Sequence, residues 1–380
     1  MSRVAAPTAA VASVPSAISA GDGNNCALFS GGTVDCWGDN EFDAVGNGTT
    51  TQSPNHGEAV VVKGLSGATA VSMGGREGCA LLAGGTVKCW GSAASGNGQD
   101  SPRPVAVKGI SGATAISAGD GIGDGPHVCA LFPGGQIECW GGDSTGELGN
   151  GASNQYATST PVAVIGISTA VAVSSGSFGA CALLRGGTIK CWGADGVGQL
   201  GNGAALAPPG FSATPLSVTG ISTAIAVSAG ANGACALLRG GTIKCWGVNS
   251  GGRLGNPTKV YVSLTPVSVS AISTAIAVST GGNGSCALLH GGTIKCWGSN
   301  ISGQLGNGSK PYIATSATPL SVKGISTAIA LSTGAKDSCA LLAGGSVECW
   351  GDNTNGALGT GNISAYLYPY SFTPLAVKGI

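Results

Sequence analysis

The chain has 380 residues, with 17 Lys+Arg against 17 Asp+Glu, and only 9% of its residues are charged, against roughly 25% in an ordinary globular protein. Hydrophobic residues make up 43% and Gly fills 69 positions without a three-residue period, which excludes solvating disorder and collagen. No Lys/Arg run exists to hold nucleic acid, and no apolar stretch is long and unbroken enough for a membrane-spanning helix.

Residues 1–14 open Met1-Ser-Arg-Val-Ala-Ala-Pro-Thr, with one Arg and no unbroken apolar core, so no intact signal peptide is read there. They are expected to form a lead, or a clasp strand on the last unit, ahead of a single domain over 15–380. From there the cysteines come in pairs ten apart: Cys26/Cys36, Cys79/Cys89, Cys129/Cys139, Cys181/Cys191, Cys235/Cys245, Cys286/Cys296 and Cys339/Cys349. Each second Cys precedes Trp-Gly. The tryptophans, Trp37, Trp90, Trp140, Trp192, Trp246, Trp297 and Trp350, are separated by 53, 50, 52, 54, 51 and 53 residues. A unit of about 52 residues therefore recurs seven times, and such periodicity decides the architecture before any local reading.

The fifth unit shows the pattern. Thr223-Ala-Ile-Ala-Val-Ser228 is β-branched and small; Cys235-Ala-Leu-Leu238 follows; a Gly240-Gly241 turn leads into Thr242-Ile-Lys-Cys-Trp246; after Leu254-Gly-Asn256 comes Pro266-Val-Ser-Val269. Short pieces bounded by Gly, Pro and Asn are strands, and no 3.6-residue pattern competes. Four strands in each of seven units predict an all-β, seven-bladed β-propeller with four-stranded antiparallel blades. The small residues of the first piece suit the crowded axis. Pro104, Pro161, Pro215, Pro266, Pro319 and Pro374 mark the start of the fourth piece, the exposed edge of each blade. The chain ends at Lys378-Gly-Ile380, where other units run on into a first strand, so the ring is expected to close near a repeat boundary.

Cys-Ala-Leu-Leu-x-Gly-Gly-Thr-Ile-Lys-Cys-Trp-Gly, followed by runs such as Ser299-Asn-Ile-Ser-Gly-Gln-Leu-Gly-Asn-Gly308, resembles the repeat of the regulator of chromosome condensation family. The resemblance covers roughly residues 15–380 and implies a seven-bladed propeller. Its cysteine-paired form resembles the variants of bacterial exported proteins. Nucleotide exchange and chromatin binding do not carry over, because no unit holds a long inserted wedge and the N-terminus is not basic. Ultraviolet sensing does not carry over either, because the Gly-Trp-Arg-His-Thr motif is missing.

In the second-to-third hairpin the paired cysteines fall directly opposite each other, within reach of a cross-strand disulfide. Zinc sites prefer Cys gaps of two to four, which are absent. Seven hairpin disulfides are therefore expected, each worth on the order of 2–3 kcal/mol in the loop-entropy treatment, and they place the chain outside a reducing cytosol. The tryptophans are expected to pack blade against blade.

Variation between units concentrates in the first-to-second and third-to-fourth connections, which must emerge on one face. The third-to-fourth segments hold every tyrosine, in surroundings of Ser, Thr, Asn, Gly and Pro. Tyr in such company is the composition of binding loops. The candidate binding residues are Tyr156, Phe211, Tyr261, Tyr312, Tyr366, Tyr368, Tyr370 and Phe372, with packing over the blade rim as the plain alternative. The first-to-second connections carry Arg76 and Glu77, Asp120, Asp124 and His127, Lys336 and Asp337. Asp120 and Asp124 lack the spacing and the closing Glu of a calcium loop, so turns are expected and no metal. Neither a nucleophile elbow nor a carboxylate pair suggests catalysis. The expectation is a non-enzymatic monomer, without cofactor, that binds a protein through the Tyr-bearing face in a secreted, periplasmic or cell-surface setting. A structural or adhesin surface module and an inhibitor of a secreted enzyme stand as alternatives, followed by glycan binding.

Overall fold

The computed structural model describes residues 14–49, 55–92, 98–121, 125–204, 210–309, 314–363 and 369–380. Its strands form seven four-stranded antiparallel sheets, each built in chain order from one repeat. The first blade is Pro15–Ala20, Asn24–Phe29, Val34–Gly38 and His56–Val61; the seventh is Ala328–Thr333, Asp337–Leu342, Val347–Asp352 and Tyr370–Ala376. The expected propeller is the observed one. The clasp strand expected within residues 1–14 lies, save Val14, outside the described residues; the Val14 carbonyl accepts from Ser30 N–H of blade one at 3.0 Å.

Every cysteine pair sits at directly opposed positions of its second-to-third hairpin. All seven expected disulfides are formed. Cys26 is bonded to Cys36 in blade one, Cys79 to Cys89 in blade two, Cys129 to Cys139 in blade three and Cys181 to Cys191 in blade four. Cys235 is bonded to Cys245, Cys286 to Cys296 and Cys339 to Cys349 in blades five to seven, with Cα–Cα of 4.0 Å in blade five.

The core lies between blades. Trp90 of blade two packs on Cys26, Leu28, Val34 and Val45 of blade one, and Trp37 of blade one packs on Leu341, Val347 and Leu358 of blade seven. Each Trp is fully buried, and six indole N–H groups reach back to a carbonyl of the preceding blade, such as Trp192 to Glu147 O at 2.8 Å. Trp140 has no such partner among the described residues. The acceptor in each other blade lies in a turn closed by an Asn or Asp side chain, as Asn249 Oδ1 accepting Leu254 N–H at 3.1 Å. Blade two, whose loop runs Gly91-Ser-Ala-Ala-Ser-Gly-Asn-Gly98 in the short form of the repeat, lacks the corresponding Leu-Gly-Asn.

The ring closes through hydrogen bonds at the axis. In every blade a serine of the innermost strand accepts a backbone N–H from the next blade: Ser19 from Met73, Ser72 from Ala118, Ser117 from Ser175, Ser174 from Ala229, Ser228 from Thr280, Ser279 from Thr333, and Ser332 from Ala20, all at 2.8–2.9 Å. The last of these joins the two ends of the ring with the same bond as every other junction.

The prolines do not start the outermost strands. Pro215 lies inside Phe211–Ser217, where Cys191 pairs with Leu216 but Gly193 pairs with Ser212. The extra residues form a bulge, and a residue without an N–H costs nothing where the ladder is already interrupted. A hydroxyl braces the bulge in six blades. Ser212 Oγ donates to Thr214 O at 2.7 Å, and Ser263, Ser316 and Ser371 repeat the bond.

Candidate functional site

The first-to-second and third-to-fourth connections share one face. Arg76 of the first kind of loop lies over the ring of Phe42 of the second kind at 4.7 Å. Phe42 holds φ 61, the left-handed position occupied by Gly251 and Asn355 in other blades, so a bulky residue takes a conformation it disfavours where it meets the arginine.

At the centre of this face the seven innermost strands end in Ser-x-Gly. A Cβ on Gly21 would collide with the carbonyl oxygen of Gly74, one on Gly74 with Gly119, and so on through Gly176, Gly230, Gly281 and Gly334 back to Gly21. None of the seven has a positive φ. They are glycine because neighbouring backbones touch. The ring narrows the axial mouth to main chain and places the next residues of each loop around it.

Those residues are not equivalent. The first position of the second strand is Asp337, Asn24, Glu77 and His127 in blades seven, one, two and three, all buried, but Gly179, Gly233 and Gly284 in blades four, five and six. Asp337 Oδ1 lies 3.0 Å from the Cβ position of Gly334, and Glu77 Cγ lies 3.6 Å from that of Gly74, so both side chains fold back beneath the glycine ring. Asp337 Oδ2 accepts Asn25 Nδ2–H at 2.7 Å. Asp337 Oδ1 and both Glu77 oxygens have no hydrogen-bond partner among the described residues. At the loop tips Asp22 and Asp120 flank Gly75, their Cβ atoms 3.3 and 3.5 Å from where its own Cβ would stand.

Burial sets the protonation here. It pushes Glu77 up to about 8. It pushes Asp337 up to about 8 against the opposing Asn25 hydrogen bond, with the charges of Asp22, Asp352 and Asp120 adding to the rise. Asp120 is pushed up to about 7 by burial and by Asp22. Near neutral pH Glu77 and Asp337 are therefore largely protonated, whereas Asp120 is divided between its two forms. Among the described residues no three carboxylate, His or Cys groups are disposed to hold a metal ion; Asp124 lies outside those residues.

The aromatic candidates divide. Tyr156 and Tyr261 are 71% and 68% exposed. Tyr370 and Phe372 are half-buried and pack edge to face with centroids 5.3 Å apart. Phe211 is half-buried at the start of its strand. Tyr156, Phe211, Tyr370 and Phe372 stand on outermost strands rather than in loops, because these strands begin ahead of the bulge: Asn154–Ala163, Phe211–Ser217 and Tyr370–Ala376. Tyr312, Tyr366 and Tyr368 lie outside the described residues. Sequence reasoning passed over the glycine and serine rings, although Ser-x-Gly at the end of every first strand was a readable signal.

The repeat description "Regulator of chromosome condensation (RCC1) repeat" matches residues 16–43, 170–199, 224–253 and 241–288. The chain thus carries RCC1 repeats on its seven-bladed propeller. Human probable E3 ubiquitin-protein ligase HERC6 is 30% identical over 223 residues, 57% of this chain and 22% of that protein. Ultraviolet-B receptor UVR8 of Arabidopsis thaliana is 30% identical over 204 residues, 53% of this chain and 46% of that protein. The chain thus spans less than half the length of these curated relatives. Among solved structures, Saccharomyces cerevisiae Prp20p, described with its binding to Gsp1p and histones, superposes with TM-score 0.77 at 18% identity, covering 93% of this chain and 87% of Prp20p. Human WBSCR16 gives TM-score 0.75 at 18% identity, covering 91% and 94%. Those two likenesses concern the fold. This RCC1-repeat chain differs from a bare scaffold in its stapled hairpins and in the one-sided polar mouth.

Proposed function

We propose that this RCC1-repeat propeller is a non-enzymatic binding protein that docks a protein partner on the face formed by the first-to-second and third-to-fourth connections. The observation that carries the reading is the exposure of Tyr156 and Tyr261, 71% and 68%. Large aromatic side chains held in solvent on rigid blades favour an interface over rim packing, since Tyr supplies contact area at low entropy cost. Propellers of this repeat type bind protein partners, Prp20p with Gsp1p and histones among them. The half-buried Tyr370–Phe372 pair suits a rim that braces the interface. The seven disulfides support a secreted, periplasmic or cell-surface setting.

The test replaces Tyr156 and Tyr261 by Ala and compares partner capture and melting temperature with wild type, using proteins of the same oxidising compartment. Capture should fall at least about tenfold, with the melting temperature unchanged. Undiminished capture would refute the assignment of the face.

A further inference from the structure

On one side of the axial mouth, Asp22 and Asp120 converge over Gly75 at the surface, while Glu77 and Asp337 lie buried beneath the glycine ring with unpartnered oxygens. We propose that this quadrant, on blades seven, one, two and three, receives a single ammonium or guanidinium group, presented by a Lys or Arg side chain of the docked protein. The proposal rests on the protein-binding reading and adds what chemistry the partner must bring to the axis.

Three observations select a cation of this kind. First, buried carboxyl oxygens without hydrogen-bond partners are costly, and a charge-assisted donor above them relieves that cost. Second, no lysine or arginine among the described residues neutralises these acids. Arg76, the nearest in sequence, is turned onto Phe42; Lys336 is exposed; and among the described residues no Lys or Arg is paired with Asp22, Glu77, Asp120 or Asp337. Third, a divalent ion needs six or more oxygen ligands in calcium sites or a near-octahedral set in magnesium sites, whereas no three described groups here are disposed for a metal. An ammonium needs only about three acceptors. The other side of the mouth carries Ser177, Ala231 and Gly282 at the loop position of Asp22 and Asp120. The cation is therefore held off the axis, toward Gly75, and fixes the partner's rotation about it.

Binding is linked to protons. A cation beside Asp120 and Asp337 favours their ionised forms, so affinity rises with pH through about 7 to 8, the values to which Asp120 and Asp337 are raised. The charges of Asp22 and Asp352 also act on Asp337 and raise it.

The probe is the blocked peptide acetyl-Gly-Lys-Gly-amide, titrated into the oxidised full chain to about 10 mM, a range that captures a single weak contact, while the glycine amide signals are followed by NMR. Gly21, Gly75 and Gly121 should shift saturably, with Gly230 and Gly281 still. The Gln peptide should be inert. Asp22→Asn/Asp120→Asn, at an exposed and a half-buried site, should weaken binding at least about tenfold, and wild type should bind more tightly at higher pH. No saturable shift, an equal response to the Gln peptide, or an unchanged response in the variant would overturn the proposal. Tighter binding of calcium ion than of the Lys peptide would overturn it as well. Partner capture separates the two readings. Full capture by Asp22→Asn/Asp120→Asn sinks this proposal and spares the docking face; full capture by the tyrosine variant with peptide shifts intact does the reverse.

Discussion

Blades four, five and six differ from blades seven, one, two and three at the first position of the second strand. Where the second strand begins with Gly179, Gly233 and Gly284, crevices of about 20, 20 and 10 Å³ open between blades, each with room for one water. Where it begins with Asp337, Asn24, Glu77 and His127, buried polar side chains stand at that position, and Asp337 also lines the crevice beside Gly284. The opposite face divides at nearly the same boundary. At the start of the innermost strand stands Ser16 or Thr69 in the bulge of blades one and two and Thr114 just ahead of the strand in blade three, each hydroxyl donating to a carbonyl such as Leu81 O at 3.2 Å. In blades four to seven the bulged residue is Val171, Ile225, Ile276 or Ile329, about half exposed. The Ser-x-Gly ring, the buried Trp and the disulfide are common to all blades. Seven copies of one scaffold thus carry two different chemistries, because the scaffold contacts leave the loop positions free to vary.

The sharpest way to break the comparison is at the element both halves share. Gly281→Ala in the neutral half should destabilise the ring by at least about 3 kcal/mol, since its Cβ meets the backbone of Gly334 rather than a movable side chain. Gly75→Ala, whose nearest neighbours stand at 3.2–3.5 Å, should cost far less. Denaturant midpoints measured side by side decide this; equal losses would show that close approach does not hold the ring.

A second measurement sharpens the division between halves. Glu77 and Asp337 are raised to about 8 in the folded chain, against about 4 in an unfolded one. The folded state then holds the extra protons, so their contribution is fully present below about pH 4 and is lost as pH rises through about 8. Melting temperature should fall from about pH 5 to about pH 8.5. Glu77→Gln/Asp337→Asn should flatten the profile, and a profile that stays steep in this variant would locate the titration elsewhere.

The smallest effect concerns the indoles. Trp192 donates to Glu147 O at 2.8 Å, whereas Trp140 lacks a partner among the described residues. Trp192→Phe should therefore cost about 1 kcal/mol more than Trp140→Phe, the net worth of one hydrogen bond. Calorimetry on both variants measures the difference, and a larger loss at Trp140 would show that its N–H is satisfied.

Much of the fold was legible because its signals are local and repeated. Ten residues and a Gly-Gly turn bring each Cys pair into register, so the bonds from Cys26 to Cys36 and from Cys339 to Cys349 were assignable without any long-range contact. The bulge in the fourth strand was misread, because Pro215 looks like a strand start when its neighbours Ser212 and Thr214 are not seen to brace an interrupted ladder. The loop face was legible as variability and as tyrosines. Glu77 and Asp337 were visible only as scattered polar residues.

The sequence by itself determined the number of repeats, the order of strands within each and the partner of every cysteine, since these follow from periodicity and from contacts a few residues apart. Only the tertiary structure decided what stands around the axis. Asn25 and Asp337 are separated by 312 positions and meet at 2.7 Å, and Asp22 and Asp120 come together over Gly75, because seven loops spaced about one repeat apart converge where the backbones touch. Closure of the ring brings those carboxyls together and buries two of them, and burial raises their affinity for protons.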